Sequence, residues 1–82
     1  YTILNGEYEV IEAEIIETSE LINKELKNSN LPNEIRIGAV LREDKVIIPR
    51  SNFIFQKEDR VVFLAKKDSI SVVENIFRIS SI

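Results

Sequence analysis

The sequence predicts an α+β fold: a four-stranded, mainly antiparallel sheet with two helices, in the order β-α-β-β-β-α. Three observations predict it. Residues Tyr8 to Ile16 approach strict alternation, the period of a half-buried strand. Short apolar runs rich in β-branched residues follow one another from Ile35 to Ala65, divided by turn residues. Two stretches with helical spacing stand between and after these runs. The length of 82 residues fits one domain, residues 1–82.

Each element has its own signal. Asn5-Gly6 marks a turn, and in the strand after it Ile11, Ala13 and Ile15 face one way while Glu12 and Glu14 face the other. Thr18-Ser19 offers a helix N-cap, with Glu20 in the first turn where the helix dipole favours a carboxylate. Leu21, Ile22 and Leu26 then share one side, and Asn28-Ser29-Asn30 stops a helix of about two turns. Leu31 is extended because it precedes Pro32. In the next strand Ile35, Ile37, Ala39 and Leu41 are expected on one face and Arg36, Gly38, Val40 and Arg42 on the other. Glu43-Asp44 makes a tight turn, and the return strand ends at Pro49, which has no N–H to give. Phe53 and Phe55 are expected at the core edge of a connector. The last strand carries Val61, Phe63 and Ala65 on one face and Val62 and Leu64 on the other. Asp68 is expected to cap a closing helix on which Ile70, Val73 and Phe77 form a stripe, and the remainder is a tail.

Two helices cover only one face of so narrow a sheet. Apolar residues on the second face have two readings. They lie at strand ends as ordinary scattered surface, or Val40, Val62 and Leu64 mark a contiguous patch that serves as an interface. The sequence favours the interface, and the occupant expected is a second copy of the chain. A domain of this length buries only about 60–65% of its unfolded surface, so a partner adds needed stability.

Composition narrows the chemistry. The formal charge of -3 and the scatter of the 11 basic residues argue against a nucleic-acid partner. There is no cysteine, hence no disulfide or thiolate metal site, and no histidine, hence neither the commonest general base nor the commonest transition-metal ligand. No apolar run reaches the roughly 20 residues of a membrane helix. The chain lacks methionine and begins at Tyr1, which reads as a piece of a longer protein. No catalytic set stands out, so no enzyme is expected. Glu12 and Glu14 fit the wet face of a strand, and the serines have no base to activate them. Asp44, Glu58 and Asp59 do not match a calcium loop, so no metal site is assigned. With only Gly6 and Gly38, no phosphate-binding glycine loop is possible. Gly38 sits within a strand, where glycine marks a bulge, close packing or ligand access. Arg36 and Arg42, expected on one face of that strand, complete a candidate anion site with Gly38.

The stretch from Tyr8 to Phe77 resembles the TrkA C-terminal domain, the C-terminal lobe of regulator-of-potassium-conductance modules. The residues that carry the resemblance are Leu31-Pro32, the strand Ile37 to Arg42, the acidic turn and strand Glu43 to Pro49, Asp59 before the strand Val61 to Leu64, and the closing Val73 to Phe77. Where the family commonly has glycine before the aspartate, this chain has Glu58. The resemblance implies a regulatory, non-catalytic domain that follows a nucleotide-binding Rossmann lobe and has no cofactor of its own. It implies a homodimer, a place on the cytoplasmic side of a membrane potassium transporter subunit, and a small-molecule ligand in the dimer cleft. The same lobe serves in other ion transporters and antiporters, which is the alternative setting. Some members bind cyclic di-AMP through an Asp-Ile-Arg-Ala segment and a nearby Asn-Pro. At the comparable place this chain has Ser29-Asn30-Leu31-Pro32 without the arginine, which argues against that nucleotide.

Overall fold

In a computed structural model, residues 2–74 and 77–79 are described, and they form one antiparallel sheet. The strands are β1 (Thr2–Ile3), β2 (Tyr8–Ile15), β3 (Ile35–Arg42), β4 (Lys45–Ile47), β5 (Arg60–Lys66) and β6 (Phe77–Ile79). Their spatial order is β1-β2-β5-β3-β4, and β6 pairs with the second half of β2, at Ala13 to Ile15. β5, the last long strand in the chain, therefore lies at the centre between β2 and β3.

The expected α+β class is corrected on its helices. Among the described residues the only helical segments are 3-10 turns, Leu26–Asn28 and Lys67–Val73. The first expected helix loses to a tertiary ladder. Ser19 does accept the Leu21 N–H on its Oγ at 3.1 Å, as a cap would. Asn23, however, adopts φ 67, which ends any helix. The N–H groups of Asn23, Leu26 and Lys27 then donate to the carbonyls of Phe55, Phe53 and Ser51 at 2.8–2.9 Å. A helix of two turns has few bonds to set against that partner. The closing segment winds as a 3-10 helix over Lys67–Val73, with Val73 buried and Ile70 packed against the core. Asp68 lies in its first turn without capping it. Asn75 and Ile76 lie outside the described residues, and Phe77 opens a strand where the helix was expected to continue.

The core lies on one side of the sheet. Ile11, Ala13 and Ile15 of β2 and Val61, Phe63 and Ala65 of β5 point into it, as the alternation predicts. Leu21, Phe55 and Val73 close it from the loops, Phe77 stacks on Phe63 at 5.0 Å, and Phe53 meets Phe55 edge-on at 5.3 Å. β3 departs from simple alternation. Its register with β5 shifts between Ile37 and Ala39, so Gly38 is an extra residue. Before the bulge Ile35 and Ile37 face the core, and after it Val40 does, opposite Val61. A Cβ on Gly38 would meet only the Val62 carbonyl oxygen at 3.6 Å, an ordinary contact. Phase, rather than crowding, is what this glycine sets.

Candidate functional site

The bulge divides the expected site residues between two places. Val40 is fully buried in the core of the single chain. It therefore does not belong to the uncovered face with Val62 and Leu64, and the expectation that grouped the three is corrected. The residue beside Val62 is Ala39.

Arg42 is also moved, and with it the set Arg36, Gly38 and Arg42. Arg36 precedes the bulge and Arg42 follows it, so they point to opposite sides of the sheet. Arg42 is already engaged on the core side. Its Nε donates to Asp59 Oδ1 at 2.8 Å, and its Nη2 donates to Asp59 Oδ2 at 2.7 Å and to the Ile54 carbonyl at 3.0 Å. The guanidinium lies 4.9 Å from the centre of the Phe53 ring. Asp59, 1% exposed, also accepts the Gln56 N–H at 2.9 Å. The hydrogen bond to Asp59 holds the arginine above its ordinary value, against the opposing pull of burial. This two-pronged pair ties the end of β3 to the loop before β5. It is structural, and sequence reasoning missed it because the partners are 17 residues apart, one at the end of β3 and one in the loop before β5.

Arg36 remains exposed at the other end of β3. With Lys27 it lines a groove of about 320 Å³ whose floor and rim include Asn30, Pro32 and Ile37. Lys27 Nζ lies 3.7 Å from Glu25 Oε2, so Arg36 is the cation that this groove offers a small anion.

The second face of the sheet carries no covering element among the described residues. Cross-strand pairing sets its rows. Val10, Leu64 and Arg36 stand abreast on β2, β5 and β3. Glu12, Val62 and Ala39 form the next row, then Glu14, Arg60 and Leu41, with Val46 of β4 beside Leu41. Arg60 Nε donates to Glu12 Oε1 at 3.0 Å, and its Nη1 lies 3.9 Å from Glu14 Oε2. Val62, Leu64, Val10 and Leu41 are half-buried by their neighbours alone, and Val46 is 67% exposed.

A family model described as the TrkA-C domain matches residues 10–78. The chain belongs to the TrkA-C domain family. This TrkA-C domain is 41% identical over 80 residues to the Trk system potassium uptake protein TrkA of Azorhizobium caulinodans, covering 98% of this chain and 18% of the relative. It is 38% identical over 64 residues to a TrkA homolog of Archaeoglobus fulgidus, covering 78% of this chain and 15% of that protein. It is 33% identical over 67 residues to TrkA of Haemophilus influenzae, covering 80% and 15%. The chain thus spans less than a fifth of the length of these relatives. Within the TrkA-C domain, the position where the family commonly carries glycine is Glu58, whose φ is 72. That backbone region suits glycine, so the departure noted in the sequence falls on a conformationally demanding residue. No helix among the described residues is long and apolar enough to cross a membrane.

Proposed function

We propose that this TrkA-C domain is the regulatory, dimerising and ligand-sensing lobe of a potassium-uptake protein, coupling ligand state to the gate of a membrane potassium transporter subunit from its cytoplasmic side. The lobe itself does no chemistry in this reading, and any nucleotide cofactor belongs to an upstream Rossmann lobe. The observation that carries the proposal is the uncovered sheet face, where Val10, Val62, Leu64 and Leu41 form an apolar patch on a domain whose core is complete without them. Contiguous patches of this kind mark interfaces in water-facing domains.

Coupling requires a ligand to favour one arrangement of the paired lobes over another. Arg36 supplies a physical route, because it lines the groove with Lys27 and stands at a corner of the open face. An anion in the groove and a second copy on the face act on the same guanidinium.

Light scattering on the chain at 10–500 μM, with Val62→Glu as the comparison, tests the dimer. The expected result is a concentration-dependent dimer that the substitution abolishes. A strict monomer across that range overturns the reading. Thermal-shift screening with adenine nucleotides and cyclic dinucleotides tests the ligand arm, and a hit that Arg36→Ala removes is the expected outcome.

A further inference from the structure

The hairpin tip between β1 and β2 brings together an exposed amide and a free backbone nitrogen. The Glu7 N–H donates to the Leu4 carbonyl at 3.1 Å, with Asn5 at φ 57 and Gly6 at φ 88 as the two central residues. These are type I′ values, for which Asn-Gly is the favoured pair. The same pair is the one most open to attack on itself. Asn5 is exposed. The Gly6 N–H donates to no acceptor among the described residues, and a Cβ placed on Gly6 would meet nothing within 4 Å. No side chain therefore screens that nitrogen from the Asn5 amide carbon.

The chain's other asparagines are placed differently. Asn23, Asn28 and Asn52 are followed by N–H groups already engaged: Lys24 donates to the Leu21 carbonyl at 2.9 Å, Ser29 to that of Leu26 at 3.1 Å and Phe53 to that of Arg50 at 3.0 Å. Asn30 and Asn33 precede Leu31 and Glu34, whose side chains crowd the nitrogen. Asn75 lies outside the described residues. Attack at position 5 requires the Asn5 backbone to swing out of its turn conformation, and little opposes that motion. β1 is two residues long, and Leu4 is 64% exposed while holding a left-handed φ of 54 that disfavours a side chain. Short, exposed elements of this kind open locally at far lower cost than global unfolding. The charged groups facing the tip are Glu7, Lys66, Lys67 and Asp68, two of each sign, so solvent hydroxide rather than the local field sets the rate.

We propose that Asn5 is a modification site: it deamidates spontaneously through Gly6, ahead of the other described asparagines, and its isoaspartyl product releases β1 from the sheet. The Gly6 nitrogen gives its proton to hydroxide and attacks Asn5 Cγ. The new N–Cγ bond closes a succinimide ring as the Cγ–Nδ2 bond breaks, and Nδ2 takes a proton from water and leaves as ammonia. Water then opens the ring at either carbonyl, giving aspartate or isoaspartate at position 5. One water is consumed and one ammonia released, with no change of oxidation state. The two products differ in what they do to the hairpin. Aspartate keeps the main chain as it was, and Asp-Gly suits a type I′ turn as Asn-Gly does. Isoaspartate routes the main chain through Cγ and lengthens the turn by a methylene. β1 is held to β2 only through Thr2 opposite Glu9 and Ile3 opposite Tyr8, and a turn of altered length no longer sets those pairs in register.

Peptide mass mapping of the chain incubated at 37 °C, folded and in 6 M guanidinium chloride, at pH 7.4 and pH 9, is the test. The expected result is a mass gain of one dalton in the peptide that holds Asn5, before any at Asn23, Asn28, Asn30, Asn33 or Asn52, and absent from that peptide in Asn5→Asp. The folded chain should convert within about a hundredfold of the unfolded rate. A slower conversion overturns the proposal, because the closed turn would then keep Cγ from the nitrogen. Conversion of another of these asparagines first, or a rate that does not rise with pH, overturns it too. Hydrogen exchange on the separated products tests the release of β1. The isoaspartyl chain should exchange faster than the unmodified chain over residues 2–9, while Asn5→Asp should match the unmodified chain. Equal exchange in all three overturns the release, and fast exchange in Asn5→Asp as well would assign it to the added charge instead of the lengthened turn.

Discussion

Arg42 and Asp59 differ in what each can reach once the other is gone. Arg42 is a quarter exposed along its side chain and can turn to water, whereas Asp59 is sealed. Arg42→Met leaves a buried carboxylate with only the Gln56 N–H, and should cost about 3 kcal/mol, near 15 °C in melting temperature. Asp59→Ala should cost less, about 1–2 kcal/mol, since the freed guanidinium rehydrates. Equal losses in urea melts would contradict this asymmetry. Arg42 has a raised value in the folded chain, so its contribution is complete below the ordinary arginine range and is lost only above it. A melting scan between pH 6 and 9 should therefore show no loss from this group. Glu58 is the second residue with a defined cost. At φ 72 a side chain carries about 1 kcal/mol of strain. Glu58→Gly removes that strain but frees the unfolded chain, so it should be neutral to stabilising by at most about 1 kcal/mol. Glu58→Val, with a branched Cβ in the same region, should be clearly destabilising.

At the scale of elements, the hairpin between β3 and β4 turns through Glu43 at φ 49 and Asp44 at φ 64. Positive φ at both central residues is the geometry that favours Asn-Gly. The double substitution Glu43→Asn with Asp44→Gly should raise stability by about 1 kcal/mol in thermal melts, and a loss would mean that the side chains of the native turn do more than span it. The strands of this hairpin were legible because alternation and turn residues are local signals. So were the inward residues of β2 and β5. The two expected helices were not α-helical, for reasons no local window contains. The carbonyls that take the N–H groups of Asn23, Leu26 and Lys27 come from residues 51–55, over twenty positions away. Gly38 lay between these cases. Its place in a strand suggested a bulge among other readings, but whether the bulge would flip the phase of Val40 and Arg42 depends on the partner strand's register.

For the whole molecule, that single extra residue decides which side each half of β3 serves. It sends Val40 into the core and Ala39 and Leu41 to the open face, and it separates the two arginines that alternation had placed together. One side of the sheet is thereby a complete core, and the other is an apolar patch flanked by charge. The two sides should respond differently to the same truncation. Val40→Ala removes buried methyl groups from a packed site and should cost about 2 kcal/mol at any protein concentration. Val62→Ala trims the centre of the open face. It should change the stability of the dilute monomer by no more than about 0.5 kcal/mol while weakening self-association. Urea denaturation at 1 μM and at 200 μM separates the two effects. Loss for Val40→Ala at both concentrations, with loss for Val62→Ala only at the higher one, fits a sheet whose two faces have separate duties. Equal concentration-independent losses would mean that the open face belongs to the fold of the single chain.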